Sequence, residues 1–285
     1  MSAPRHTTAP TADTKQDFDL GKAAAALTDA AAKAGAAIMA HYGSAEVEHK
    51  DDDSPVTKAD HDSEKILLAA LETLAPNIPI VSEESAGDRT APLAARFFLV
   101  DPLDGTKEFI KKRNDFTVNV ALIEEGYPRF GLVYAPARSL LAVTIADGVA
   151  IEAELPPSAD GADLGALQQR RLHVRNADPS GLTALVSLSH LDPETEAFLT
   201  GLNIAERSSA GSSVKFLEIA RGRADVYPRF GPTMEWDTAA GQAVLEASGG
   251  RVVDADGARF RYGKTQDGLR NGSFIAWGRP ALTNR

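Results

Sequence analysis

Phe97-Phe98-Leu99-Val100-Asp101-Pro102-Leu103-Asp104-Gly105-Thr106-Lys107-Glu108-Phe109 is the stretch around which the chain is organised. Phe97 to Val100 is a short apolar, β-prone run of the kind that forms a buried strand. Pro102 fixes its own φ and disfavours helix at Asp101, so the strand is expected to give way to a turn there. The residues from Lys107 to Ile110 tolerate a helix, with Asp104 or Thr106 as candidate caps. Two carboxylates three residues apart thus sit between a strand end and a helix start. In a straight strand they would face opposite ways, and the bend lets them converge. Gly105 allows close approach of backbone to a ligand. Amides at a helix start attract phosphate while the two Asp side chains repel it, and a divalent cation such as Mg2+ between them resolves the conflict. The plain alternative is an Asp-rich surface turn. A phosphatase of the dehalogenase type would space its carboxylates two apart, in Asp-x-Asp, and is disfavoured by the spacing of three.

Further acidic features lie to either side. Ile78 to Val81 reads as a strand ending in Ser82-Glu83-Glu84-Ser85, and pairing of the two strands would bring Glu83 and Glu84 beside Asp101 and Asp104. Ser63 to Leu74 has a helical apolar face. It places Asp60, in Val56-Thr57-Lys58-Ala59-Asp60, near a helix N-terminus, either as a cap or as a carboxylate aimed at a site. Leu20 to Tyr42 is an Ala-rich helix stopped at Gly43, its alanines suited to close packing.

From Asp115 to Glu152, strands separated by Gly- and Pro-containing turns read as an antiparallel meander. Beyond the Leu155–Leu167 connection, strands (Arg171–Val174, Leu182–Leu188, Ala224–Tyr227, Arg251–Asp254, Ser273–Trp277) alternate with helices, the mark of an α/β half. Expected units are a disordered leader (residues 1–17), an N-terminal α+β half (18–155) and a C-terminal α/β half (156–285). Asp237 stands at a helix start, as an N-cap or a ligand. Lys215 is ill placed for the helix dipole, which suggests a ligand-facing role or an ordinary surface lysine. Gly211-Ser212-Ser213 offers amides and hydroxyls to an anion without the spacing of a P-loop.

The 285 residues are 43% hydrophobic, ample for a large core, and include no cysteine, which excludes disulfides, thiolate metal sites and a Cys nucleophile. A net charge of -10 disfavours non-specific nucleic-acid or anionic-membrane binding, and bound cations would reconcile it with a phosphorylated substrate. No apolar run of about 18 residues suggests a transmembrane helix.

Together Ser82-Glu83-Glu84-Ser85, Asp101-Pro102-Leu103-Asp104-Gly105-Thr106, Gly211-Ser212-Ser213 and Trp236-Asp237-Thr238-Ala239-Ala240-Gly241 resemble the inositol monophosphatase superfamily of Mg2+-dependent, lithium-sensitive phosphomonoesterases, over nearly the whole chain from about residue 20. Lys107-Glu108-Phe109-Ile110, Phe116-Thr117-Val118-Asn119 and Tyr227-Pro228-Arg229-Phe230-Gly231-Pro232 are similar to its CysQ branch, 3'(2'),5'-bisphosphate nucleotidases of sulfur metabolism. The resemblance implies a five-layer α-β-α-β-α sandwich. It implies one Mg2+ on Glu83, Asp101 and the Leu103 carbonyl, a second on Asp101, Asp104 and Asp237, and a weaker third near Asp60 and Glu83. Thr106 paired with Asp60 would polarise the attacking water, the Gly105 and Thr106 amides would take the phosphate, and Glu84 would sit close by. Ser212, Lys215 and Arg229 would contact a nucleotide bisphosphate substrate. Departures are the charged Lys111-Lys112-Arg113-Asn114-Asp115 loop and the leader.

The implied reaction is hydrolysis of the 3'-phosphate of adenosine 3',5'-bisphosphate, with its sulfated analogue a further candidate, in a cytoplasmic enzyme with room for peripheral inner-membrane association. Inositol monophosphate or fructose 1,6-bisphosphate as substrate is the alternative, and a catalytically silent metal- or nucleotide-binding regulator the remote one. Monomer and homodimer are both compatible with the sequence.

Overall fold

The structure is a computed structural model that describes residues 18–44, 47–49, 55–86, 91–178, 180–187 and 192–279. The expected leader and the acidic run Asp51-Asp52-Asp53 lie outside the described residues. Helix α1 (Leu20–His41) starts where Asp19 accepts a hydrogen bond from the Lys22 amide at 2.9 Å, and ends before Gly43, whose φ of +92° suits a residue without Cβ. Its alanines are mostly buried, so α1 lies close against α2 (Lys58–Leu74). Strands β1 (Val47–His49) and β2 (Pro55–Thr57) pair antiparallel and lead into α2.

Seven strands then form one sheet: β3 (Ile80–Ser82), β4 (Arg96–Asp104), β5 (Thr117–Glu124), β6 (Tyr127–Ala135), β7 (Leu140–Ala146), β8 (Val149–Glu154) and β9 (Gln169–Arg171), in that order across it. The short helix α3 (Thr106–Ile110) follows β4. The pairing expected between the first two strands is present: β3 runs parallel to β4, with Ser82 opposite Val100. The meander is present too, from β5 to β8. The strand expected at Arg171–Val174 is instead Gln169–Arg171, and it extends this sheet rather than opening the second half.

A second, mixed sheet has the order β11 (Ile204–Ala210), β10 (Leu182–Ser187), β12 (Val226–Arg229), β14 (Phe274–Trp277), β13 (Arg251–Asp254). Strand β11 was not expected. Glu206, Arg207, Ser208 and Ser209 give it no apolar alternation, and it holds its place as an exposed edge through parallel hydrogen bonds to β10.

Helices α1 and α2 cover one face of the larger sheet. Helices α5 (Val214–Ala220) and α6 (Glu235–Ala247) fill the space between the sheets, and α4 (Pro193–Thr200) covers the outer face of the smaller one. This is the five-layer α-β-α-β-α sandwich. Side chains alternate accordingly along β4: Phe98 and Val100 pack toward α1 and α2, Phe97 and Leu99 toward α5 and α6. At Gly131 of β6 an added Cβ would lie 2.4 Å from the Ala240 carbonyl oxygen, so only glycine lets α6 approach this closely. Among the described residues no helix is long and apolar enough to cross a membrane.

Candidate active site

The strand holding Asp101 does not end there. β4 continues to Asp104 through an irregularity: Asp101 faces Asn119 of β5 and Asp104 faces Thr117, so three steps on one strand match two on the other. That is a β-bulge, which tolerates the missing N–H of Pro102 better than a regular ladder does. It also supplies the convergence attributed to a turn. By alternation Asp101 shares the face of Phe97 and Leu99, toward α6. The extra residue turns Asp104 to that side, while Leu103 packs on the opposite one. Neither Asp104 nor Thr106 caps α3. Gly105 occupies that position with φ +93°, where a Cβ would crowd the Asp115 carbonyl at 3.0 Å.

Asp237 is not an N-cap either. It is the third residue of α6, and its Oδ2 accepts a hydrogen bond from the Met234 amide at 2.8 Å. From there it meets the bulge: carboxylate oxygens of Asp101, Asp104 and Asp237 all lie within 4.8 Å of one another. Glu83, on a 3-10 turn (Glu83–Ser85) after β3, is hydrogen-bonded to Asp101.

Burial pushes the Asp101 carboxyl well above the usual range, and the charges of Glu83, Asp104 and Asp237 push it further. Asp237 is raised in the same way, by burial and then by Asp104, against the help of the Met234 amide. Asp104 is also raised by burial, but donors surround it: Ser212 Oγ at 2.5 Å and the Ser213 amide at 2.8 Å, with the Lys215 charge near. Such a group of oxygen donors, repelling one another at the edge of a cavity, fits a hard divalent cation.

The N-cap of α2 is Thr57, and Asp60 is the third residue of that helix. Its Oδ2 accepts from the Thr57 amide and hydroxyl, each at 2.8 Å, completing a capping box, and its Oδ1 accepts from Thr106 Oγ1 at 3.2 Å. Burial raises its pKa. Thr106 Oγ1 also lies 3.2 Å from the Leu103 carbonyl.

Lys215 is not a surface lysine. It is 4% exposed, donates to the carbonyls of Ala210 (3.1 Å) and Ser212 (2.8 Å), and lies 5.0 Å from the Tyr227 ring centre. Burial lowers its pKa to about 8, opposed mainly by Asp104. Arg229, also buried, donates to the Gly231 and Pro232 carbonyls.

A cavity of about 300 Å³ opens over these groups, its wall including Glu83, Asp104, Thr106, Lys215, Arg229 and Asp237. Gly105 and Ser212 also line it; Asp60, Glu84, Asp101 and Leu103 do not. Glu84 is half-buried beside Glu83 on the 3-10 turn, outside the carboxylate trio.

Sequence reading assigned no site role to Thr117 or Asn119, and offered Ser213 only as a donor to an anion. Asn119 Nδ2 reaches Asp104 (3.4 Å) and Ser213 Oγ (3.1 Å), Ser213 Oγ donates to the Asp237 carbonyl (2.7 Å), and Thr117 Oγ1 meets Ser212 Oγ at 2.5 Å. Their signal was present in Thr117 and Asn119, two buried polar residues at period two on an otherwise apolar strand.

The profile of the inositol monophosphatase family matches residues 19–278. The 3'(2'),5'-bisphosphate nucleotidase CysQ of Salmonella typhimurium is 42% identical over 246 residues, 85% of this chain and 94% of that protein. The protein of the same name from Escherichia coli K12 is 41% identical over 250 residues, 86% of this chain and 96% of its own. The crystal structure of CysQ from Bacteroides thetaiotaomicron, a bacterial member of the inositol monophosphatase family, superposes with a TM-score of 0.77 at 35% identity, covering 93% of this chain and 99% of that one. An IMPase from Thermotoga maritima shares the fold, with a TM-score of 0.70 at 22% identity over 89% of this chain and 91% of that one.

Proposed function

The chain belongs to the inositol monophosphatase family, and from that premise we propose that it is a metal-dependent 3'(2'),5'-bisphosphate nucleotidase. It would convert adenosine 3',5'-bisphosphate and water into AMP and phosphate, and would act likewise on 3'-phosphoadenylyl sulfate. The observation that carries the reading is the meeting of Asp101, Asp104 and Asp237 within 4.8 Å, together with relatives of that activity that align end to end. The small-molecule substrate class follows from those relatives.

Asp101, Asp104 and Asp237, with Glu83 and the Leu103 carbonyl, would hold two Mg2+ ions, and Asp60 with Glu83 a weaker third. Bound there, Mg2+ supplies a water of lowered pKa and neutralises charge on the phosphate oxygens. The chain's own groups do the rest. Thr106 Oγ1, held by Asp60, would orient the water and pass its proton toward the Asp60 carboxylate. The amides of Gly105 and Thr106 and the Ser212 hydroxyl hold the transferred phosphate. Lys215 and Arg229 place positive charge on the cavity wall for the second phosphate, which favours a bisphosphate over inositol 1-phosphate. Glu84 would support Glu83. Water would attack phosphorus as the bond to the ribose 3'-oxygen breaks, and that oxygen would take a proton from a solvent water in the open cavity. We assign the activity to the cytoplasm, with any contact with the inner membrane peripheral.

The test is phosphate release from adenosine 3',5'-bisphosphate, its sulfated analogue, inositol 1-phosphate and fructose 1,6-bisphosphate, with Mg2+ and with EDTA. Mg2+-dependent release, fastest from the first two, is expected. Equal or faster release from inositol 1-phosphate would overturn the substrate assignment, and release unaffected by EDTA would overturn the metal assignment.

A further inference from the structure

Asp237 reaches the carboxylate trio only because the first turn of α6 stands where it does, and that turn is gripped by a segment far along the chain. Residues 262–271 wrap around it. Buried Glu235, the first residue of α6, accepts from the amides of Gly263 (2.7 Å) and Lys264 (2.9 Å), and Lys264 Nζ lies 2.9 Å from it. The Glu235 amide, otherwise an orphan of the helix start, donates to the Leu269 carbonyl at 2.9 Å. Leu269 is held at φ +60°, a conformation that a leucine adopts at a cost. Tyr262 Oη bonds Thr238 Oγ1 at 3.2 Å.

Asn271 closes this collar. Its backbone amide donates to the Thr233 carbonyl at 2.9 Å. Its side-chain Nδ2 lies 2.7 Å from the Met234 carbonyl, 3.0 Å from Thr238 Oγ1 and 3.1 Å from Thr233 Oγ1. Its Oδ1 is buried and accepts nothing among the described residues. Turning the amide over would set that oxygen against the Met234 carbonyl at 2.7 Å, which can only accept, so the amide nitrogen faces this cluster. Two of the three partners bracket Asp237 in the first turn of α6: the Met234 carbonyl at the cap, three residues before it, and Thr238 Oγ1, on the residue after it. Met234 is also the residue whose amide fixes the Asp237 carboxylate, at 2.8 Å.

We propose that Asn271 is a positioning residue for Asp237: it sets the Met234–Thr238 turn so that the Asp237 carboxylate presents itself to the divalent cation. The proposal rests on the metal reading above and extends it to a residue that touches neither metal nor substrate. Groups that orient metal ligands from behind are commonly worth a factor of ten to a hundred in affinity.

Asn271→Ala and the milder Asn271→Ser, which keeps one donor, are compared with the wild type by calorimetric Mg2+ titration of EDTA-stripped protein, by melting in EDTA, and by turnover against Mg2+ concentration. The expected result is Mg2+ affinity weakened about 10- to 100-fold for Ala and less for Ser. The half-saturating Mg2+ should rise in parallel, turnover should recover at high Mg2+, KM for the nucleotide should hold, and melting in EDTA should change little. Variants that melt early yet bind Mg2+ as tightly as the wild type overturn the proposal, as does failure of even Asn271→Ser to fold. A wild type that binds no Mg2+ refutes instead the metal reading beneath it.

Discussion

Asp225 and Asp101 are equally hidden, at 2% and 1% exposure, and their surroundings are opposite. Asp225 is clasped by the Arg175 guanidinium through Nε at 2.8 Å and Nη2 at 2.5 Å, and accepts from the Thr183 amide at 2.8 Å. Glu235, with no exposure, is likewise matched to two amides and Lys264. Asp101 accepts from the Leu103 amide at 3.0 Å and otherwise faces acids. Among the described residues no lysine, arginine or histidine forms an ion pair with Asp101, Asp104 or Asp237. A carboxylate matched inside the fold serves the fold. Three acids gathered at one cavity with no ion-pair partner cost the fold free energy, and a bound cation would supply the missing charge.

Exchanging one side of that contrast for the other gives the largest expected effect. Asp104→Asn should lower turnover by about a thousand-fold or more, because it would remove a carboxylate from the proposed Mg2+ site. The same substitution removes one of the mutually repelling charges, so in EDTA the variant should melt no lower than the wild type. Asp225→Asn should do the reverse: a loss of about 2–3 kcal/mol in stability by denaturant titration, because the Arg175 clasp is broken, with near-normal turnover in the folded fraction. Turnover of Asp104→Asn equal to the wild type, or a fully stable Asp225→Asn, would erase the distinction between the two places.

Removing the metal should come next in size. Mg2+ at a hundred times its Kd should stabilise the wild type by about 2.7 kcal/mol over EDTA, and Asp104→Asn by much less. The pH dependence carries the same sign. The carboxyls of Asp60, Asp101, Asp104 and Asp237 are raised above 3.8 in the folded state, so above that pH the folded protein holds protons that the unfolded chain has released. Stability in EDTA should therefore fall as pH rises from 3.8 through the folded values, and saturating Mg2+ should remove that fall. A flat profile in EDTA would show that neither burial nor mutual repulsion raises these acids.

The contrast also marks what the sequence made legible. Asp101, Asp104 and Glu83 were readable because they lie within about one turn of strand ends whose pairing follows from apolar runs. The meander and the α/β half were readable from the periodicities of their strands and helices, and the five-layer stacking came from the family resemblance. What escaped depends on register and distance. A single extra residue opposite β5, not the expected turn at Pro102, aligns Asp104 with Asp101, and no propensity scale reports a bulge. β11 hides behind Glu206, Arg207, Ser208 and Ser209 because an edge strand needs only one neighbour. The sequence leaves Lys215 open between a ligand-facing role and a surface lysine, since its burial comes from β12, the Gly211–Ser213 loop and the cavity wall, which no local pattern resolves. The collar of residues 262–271 has no local signature at all.

Lys215 itself provides the smallest and most discriminating test. It is a buried cation on the acidic side of the contrast, and burial holds its pKa at about 8 against 10.5 for a free lysine. A lowered lysine pKa means that between those values the unfolded chain binds a proton that the folded protein has lost, so stability rises with pH across that window. In EDTA the wild type should gain about 1 kcal/mol between pH 8 and 9 relative to Lys215→Met. The slope is the readout, and the absolute level is not, because methionine also leaves the Ala210 and Ser212 carbonyls without their donor. Parallel slopes for the two proteins would mean that Lys215 stays charged throughout. The neighbouring carboxylates would then be compensating it fully, and Asp104 would belong with Asp225 among the matched acids.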